Sequence, residues 1–307
     1  MDRTHFLYSA ALRYFAAVAE FGSIRAAARN LNIASSAVNR QILWLEDALG
    51  VQVFERIGRR LQLSAAGTIL LRHVRETLTG FEAAVEEIDA LRGLQRGTVK
   101  IATVESISEA ILPDIIGRFR RRYPDIHLDI TVISADRVAR IVEDAEADMG
   151  ITFNPKKSDF LEITSHQSVP LGAVVAGDHP LAEKDAVTLA DCLDYPVALP
   201  GRGLSIRTSL DRALTHIAKP LKVYLEANSL RLLKSVVREG ACVGFQTAIG
   251  LEYDLARGEL AFRKLADSGM PDETLAVICR SGRDLSLAPA VFFDHVLSRI
   301  DRYSTGN

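Results

Sequence analysis

The sequence predicts an α/β protein in two parts: a mostly helical N-terminal head closed by a β-hairpin, and a two-lobed α/β body reached through one long linker helix. Three observations lead there. Apolar residues in the first 60 positions recur at helical spacing in three short blocks. A stripe of apolar residues spaced by threes and fours runs from Leu71 to Ile88, and beyond Gly97 short apolar runs alternate with amphipathic ones. The last pattern is that of strands and helices layered in turn.

Bulk properties bound the answer. A chain of 307 residues can bury two domain cores, or three small ones. With 48% hydrophobic and 25% charged residues it is not a disordered chain. Its most apolar stretches, such as Val169 to Ala176, fall short of the roughly 18 residues that span a bilayer. Asp2, Arg3, His5 and Arg13 leave no uninterrupted apolar run for a signal peptide, so a cytoplasmic location is expected. The three cysteines, Cys192, Cys242 and Cys279, are far apart in apolar surroundings and read as small buried hydrophobes. Net charge is −2, but residues 1–63 hold eight arginines against five acids. The head is therefore +3 and the rest −5, and no lysine occurs before Lys100.

Taken in order, Ala11, Phe15 and Val18 mark one face of a first helix, which Gly22 ends. Ser23 is placed to cap a second helix whose Ile24, Ala27, Ala28 and Leu31 share a face. Residues 30–33 turn tightly into a third helix with Val38, Ile42, Leu45 and Leu49 on its inner side. Short helices joined by a tight turn, with alanines on the second so that the third packs close, have the form of a helix-turn-helix. The third helix would then present Ser35, Ser36, Asn39, Arg40 and Gln41 to base edges and phosphates, its N-terminal turns facing a major groove. A structural three-helix bundle with a solvated polar face is the alternative. Val51, Val53 and Phe54, then Leu61 and Leu63, flank Glu55 to Arg60 and suggest a hairpin, or wing. Its basic tip, Arg56, Arg59 and Arg60, would sit on phosphates or simply be a solvated turn.

These residues carry a resemblance. The run from Ala11 to Arg56 is similar throughout to the reading head of LysR-type transcriptional regulators, including Ala26-Ala27, Gln41-Ile42, Leu45-Glu46, Leu49-Gly50 and Phe54-Glu55-Arg56. It departs where that family opens its recognition helix with a Ser-Gln-Pro-like triplet, here Ala34-Ser35-Ser36. It departs again at Asn39, where a small serine is usual, and at Leu43-Trp44, where a basic pair is frequent. Those changes bear on which bases are read rather than on the fold.

Ser64 can cap a helix running to about Leu91, with Leu71, Val74, Leu78, Phe81, Val85 and Ile88 along one side. Such a stripe is a coiled-coil seam or else an amphipathic helix packed on its own domain. In the family it resembles, this helix joins subunits, which implies a homodimer or homotetramer on a near-palindromic site in double-stranded DNA.

The body begins with a strand from Thr98 to Val104, a helix from Ile107 to Arg122, a strand from Ile126 to Ile133, a helix from Arg137 to Glu146 and a strand from Met149 to Phe153. A second set has strands near Gly172 to Val175, Val197 to Leu199, Lys222 to Glu226 and Cys242 to Phe245, with helices near Ser205 to His216 and Leu230 to Arg238. A last strand, Thr274 to Arg280, and a helix, Ala290 to Arg302, return to the first set. The expectation is a parallel α/β layout in which two lobes close on a cleft at the carboxyl ends of their strands. Segments are expected at 1–63 for the head, 64–92 for the linker helix, 93–165 with 267–303 for the first lobe, and 166–266 for the second.

Leu112-Pro113, Tyr123-Pro124, Asp148-Met149-Gly150-Ile151, Asp178-His179-Pro180-Leu181 and Val187 to Asp191 make this region similar to the effector-binding domain of the same family, itself similar to periplasmic binding proteins. That resemblance implies a small-molecule effector held by Ser106, Ser134, Asn154, Gly201, Arg202, Gly203, Asn228 and Ser229. The serines are equally credible as plain helix caps. Glu105, if it faced inward, would favour a cationic or hydroxylated ligand over an anion.

An enzyme is not expected. The seven histidines show no i, i+3 or i, i+4 pairing, and no nucleophile elbow or phosphate loop occurs. Gly201-x-Gly203 lacks the third glycine of a dinucleotide fingerprint, so no catalytic residue, metal or cofactor is assigned. A ligand-binding module without a DNA role would explain the lobes and leave the first ninety residues without a use.

Overall fold

The computed structural model describes residues 9–300 apart from 58–59, 91–95, 203, 216, 218, 268–269 and 283. Two compact units divide between Leu94 and Gln95.

The first unit holds α1 (Ala10–Phe21), α2 (Ile24–Asn30), α3 (Ser35–Leu49), β1 (Phe54–Ile57), β2 (Arg60–Leu63) and α4 (Ala65–Ala90). Its boundaries follow from local chemistry. Ser9 and Ser23 cap α1 and α2 by accepting from the backbone N–H of Ala11 and Ala26, and Gly22 ends α1 at φ 60°. Phe15, Val18, Ala27, Val38, Ile42, Leu45 and Val53 form the core, with the rings of Phe15 and Phe54 5.3 Å apart. Leu49, expected on that inner face, is 48% exposed because α3 outruns the core by a turn.

The antiparallel hairpin is tied to α3 by one side chain. An oxygen of Glu46 accepts from the N–H of Val53 at 2.9 Å and of Phe54 at 3.3 Å. Ser64 then starts α4, accepting from Gly67 N at 3.0 Å while its hydroxyl donates to Gln52 O at 2.7 Å. A side chain at Gly67 would place its Cβ 2.0 Å from Val53 O, so only glycine lets the helix approach the strand. The stripe on α4 divides in two. Leu71 and Val74 are buried in the head core and Leu78 packs against it, whereas Ile88 is 51% exposed.

The second unit starts with β3 (Gly97–Thr103), α5 (Glu105–Glu109), α6 (Ile111–Arg122), β4 (Ile126–Val132), α7 (Ala135–Glu143), β5 (Met149–Phe153) and β6 (Leu161–Val169). It continues with β7 (Leu171–Ala176), a 3-10 turn (Pro180–Glu183), β8 (Ala186–Val187), α8 (Leu189–Cys192), β9 (Val197–Pro200), α9 (Ser205–Leu214), β10 (Val223–Ala227), α10 (Leu230–Arg238), β11 (Val243–Thr247), α11 (Glu252–Ala256) and β12 (Leu260–Leu265). It ends with β13 (Glu273–Arg280) and α12 (Leu287–Ile300).

Two sheets result, in the orders β4-β3-β5-β13-β6 and β10-β9-β11-β7-β12-β8. Both are mixed, which corrects the parallel layout. β13 runs antiparallel to β5 and β6, and β7 antiparallel to β11 and β12. The chain enters each lobe on a strand that does not come from a strand-helix-strand crossover, so its direction is free. The first sheet retains β6 as far as Val169, paired with Glu273, which puts the passage between lobes at Pro170, past the expected residue 166. The expected helix over 107–122 is two, α5 and α6, broken at Ala110. Pro113 has no N–H to return to Glu109 O, so a continuous helix would lack that bond.

Aromatic packing fixes the first lobe: Phe119 of α6 meets Phe292 of α12 edge-on at 4.8 Å. The second lobe has a core on each face of its sheet, one around Leu171, Val175 and Leu210, the other around Val174, Leu233 and Val237. Cys192, Cys242 and Cys279 are buried and free, as expected, and burial pushes the Cys192 thiol up to about 12.

Candidate functional site

Two surfaces concentrate the expected residues. On the head, the outer side of α3 exposes Ser35, Ser36, Asn39 and Arg40, with Gln41 half-buried beside the buried Val38 and Ile42. Neither Asn39 nor Arg40 hydrogen-bonds through its side chain to another described residue, so both present open groups to solvent. One turn on, Leu43 is 57% and Trp44 58% exposed. On the hairpin, Arg56 is exposed and Arg60 opens β2, while Arg59 lies outside the described residues.

In the second unit a cavity of about 580 Å³ opens between the lobes. β3, β4 and β5 reach it from the first lobe and β10 and β11 from the second, each by its carboxyl end. Of the eight expected residues, Ser106, Ser134, Asn228 and Ser229 line it. Asn154 and Arg202 line a neighbouring groove of about 890 Å³ instead. Asn154 is bound up in the protein: at φ 49° it donates to Glu273 Oε2 and accepts from Thr274 N, each at 2.7 Å. Gly201 packs against β10, its N–H donating to Ala227 O at 2.7 Å. Gly203 is outside the described residues.

Glu105 does face inward, but not as an unpaired charge. Its Oε1 accepts from Ser229 Oγ at 2.8 Å and from Arg231 N at 3.4 Å, and its Oε2 accepts from Leu230 N at 2.7 Å. A carboxylate of the first lobe therefore sits on the N-terminus of α10 in the second, where the helix dipole favours negative charge. Further ties join the lobes. Lys234 of α10 pairs with Glu109 of α5 at 2.7 Å. Glu273, fully buried at the start of β13, accepts from Ser205 and Ser209 of α9, each at 2.9 Å. Burial pushes the Glu273 carboxyl above its ordinary range, against the pull of the hydroxyls of Ser209 and Ser205 and the amide of Asn154.

Sequence reasoning missed Arg137, Phe153, Gln246 and Thr247 as cavity residues. The last two had a signal: a polar pair directly after the apolar run Cys242 to Phe245 marks the carboxyl end of a strand. Among the described residues no group of three or more His, Cys, Asp or Glu side chains is arranged to hold a metal ion, and no helix is long and apolar enough to cross a membrane.

Comparison with known proteins adds the following. Residues 9–68 match the family described as "Bacterial regulatory helix-turn-helix protein, lysR family", and residues 92–301 match "LysR substrate binding domain". A "Probable RuBisCO transcriptional regulator" of Synechocystis is 28% identical over 95% of this chain and 86% of that protein. A "RuBisCO operon transcriptional regulator" of Allochromatium vinosum is 26% identical over 95% and 96%. A cysteine-to-aspartate variant of full-length OxyR from Pseudomonas aeruginosa is similar in fold with TM-score 0.73 at 19% identity, covering 97% of each chain. Full-length CbnR complexed with its target DNA is similar with TM-score 0.62 at 21% identity, covering 94% of this chain and 98% of that one.

Proposed function

The chain belongs to the LysR family of DNA-binding transcription regulators, and we propose that it reads its operator with the exposed start of α3 and takes its small-molecule effector in the cleft between the lobes. It is a regulator rather than an enzyme. The observation that carries the reading of DNA is the division of α3: Val38, Ile42 and Leu45 build the core while Ser35, Ser36, Asn39 and Arg40 stand free on the opposite side.

In the major groove Arg40 reads guanine and Asn39 adenine, each good pair discriminating by about 1–3 kcal/mol. Ser35, Ser36 and Gln41 contact phosphates and base edges beside them. Leu43 continues this side by nearly two turns from Ser36 and meets a thymine methyl, so the departure from a basic residue exchanges phosphate contact for apolar readout. Arg56 and Arg60 on the hairpin, together with Arg59, which adjoins Arg60 in the sequence, hold the flanking backbone, adding affinity without sequence information. The distal half of α4, with Ile88 exposed, pairs two copies so that two heads meet a near-palindromic site in the cytoplasm. The segments 1–63, 64–92, 93–169 with 267–303, and 170–266 act as reading head, linker and two clamp lobes.

Effector binding couples to DNA because a ligand that prefers one spacing of the lobes shifts the population of that spacing. The test is a footprint of the full chain on the DNA flanking its own gene, repeated with duplexes selected from a random pool. Protection of a defined site by wild type, with altered selection by Asn39→Ala and Arg40→Ala, is the expected result. Retention that depends on salt alone and not on sequence overturns the reading.

A further inference from the structure

We propose that Trp44 is a DNA-backbone contact of the reading head: its indole lies against the sugar-phosphate wall of the groove and holds it without charge. The inference rests on the reading of α3 as the helix that enters the groove. Trp44 is the chain's single tryptophan. α3 is built around Val38, Ile42 and Leu45, yet this ring takes no part in that core and is 58% exposed. Among the described residues the indole has no hydrogen bond and no ring contact. Leaving so large an apolar surface in water forgoes the free energy that covering it would return.

Helix geometry says what covers it. Trp44 follows Arg40 by four residues, so the two stand on the same side of α3, one turn or about 6 Å apart. The ring is thus continuous with the side chains that read bases, and it lies toward the end at which the helix leaves the groove. Charge agrees with a nucleic-acid partner. From Ser35 to Leu45 the helix holds Arg40 and no acid. Glu46 is turned to the hairpin, where it accepts from the N–H of Val53 and Phe54, and Asp47 comes only after Trp44. A phosphate backbone therefore meets no free like charge before the last turn of α3.

The chemistry of indole separates backbone from base. Its Nε1–H is a donor and the ring offers no acceptor, so it cannot make the paired contacts by which asparagine and glutamine read adenine. Phosphate oxygens are acceptors only, and the flat ring covers the apolar side of a deoxyribose. Such contacts position a protein on the duplex without carrying sequence information. Because indole is neutral, its contact releases no counterion, and its share of the affinity survives salt that weakens the contacts of arginine.

The test uses the full chain and a duplex selected from a random pool, with the tryptophan as its own probe. Acrylamide quenches Trp44 emission in the free chain, and a saturating amount of the duplex shields it. Trp44→Ala weakens binding by about tenfold per head. The factor is the same at every salt concentration, and base preference is unchanged. Thermal stability is unchanged too, since the ring packs on no core. Trp44→Phe, which keeps a ring but not the N–H, falls between. Trp44→Arg steepens the fall of log affinity with log salt by about 1 per head. Quenching that a footprint-forming duplex leaves unaltered overturns the proposal while the reading of α3 stands. So does wild-type affinity of Trp44→Ala, or an altered base preference in that variant. Emission that is shielded in the free chain and becomes accessible on dilution assigns the ring to a subunit contact and overturns the proposal likewise. Retention of DNA by wild type without sequence preference overturns the reading of α3 and this inference together.

Discussion

Replacing Glu105 by alanine removes the carboxylate that joins α5 to α10, and the structure sets the size of the effect. Two of its bonds are short, 2.7 Å from Leu230 N and 2.8 Å from Ser229 Oγ; the third, from Arg231 N, is 3.4 Å and contributes little. Hydrogen bonds to charged groups are worth about 1.5–3 kcal/mol when sheltered. Glu105 is only half-buried and water can replace it, so about 1 kcal/mol for each short bond is the appropriate figure. The loss of about 2 kcal/mol shifts the ratio of closed to open lobes by about 30-fold, at a factor of ten for each 1.4 kcal/mol. Hydrogen exchange on the peptide covering residues 229–236 reads this directly. The Leu230 amide exchanges about 30-fold faster in Glu105→Ala, while the Leu233 amide, which donates to Ser229 O within α10, changes little. Glu105→Gln, retaining one carbonyl acceptor, falls between. Unchanged exchange at Leu230 in a folded Glu105→Ala protein refutes the idea that this side chain holds the lobes together.

Other consequences can be measured separately. Asn39→Ala and Arg40→Ala relax preference at single positions of a selected site by about 1–3 kcal/mol, whereas Arg56→Ala weakens all duplexes alike and lowers the slope of log affinity against log salt by about 1; competition binding at several salt concentrations distinguishes the two, and a swapped pattern reverses the roles. Phe15→Ala removes a fully buried ring that packs on Phe54, costing about 3–5 kcal/mol and unfolding the head first in a denaturant titration; a loss under about 1 kcal/mol is incompatible with the core described. Burial raises the Glu273 carboxyl in the folded chain above its ordinary value of 4.5, so its contribution to stability is fully present below that value and is lost as pH rises through the folded value. Thermal melts of Glu273→Gln should therefore gain on wild type from acid to neutral pH, and a gap that moves the other way contradicts the assignment.

The residues that specify local structure were legible without coordinates. Ser23, Gly22 and the alanines Ala27 and Ala28 announce the turn between short helices, and α10 is read to the residue because its apolar face, its cap Ser229 and its basic end all agree. β5 is equally plain, a run of five buried residues. β6 and β12 were not read. Their sequences, Leu161 to Val169 and Leu260 to Leu265, carry polar and charged residues because one lies at a sheet edge and the other has half-exposed positions. Of the candidate pocket, Ser106, Ser134, Asn228 and Ser229 were found by their place after strands, and Asn154 was assigned to a ligand although it holds Glu273 and Thr274.

By itself the sequence determined the helical head, the long linker and the alternation of strands and helices, because capping, periodicity and side-chain size act between residues a few positions apart. Tertiary structure alone decided strand direction and which polar groups remain free for a ligand. Glu105 and Ser229 are far apart in the chain, as are Asn154 and Glu273, and a hydrogen bond closes only when folding brings donor and acceptor within about 3 Å. Whether a serine or a carboxylate is a partner of the protein or of its effector is settled at that distance, and no local pattern encodes it.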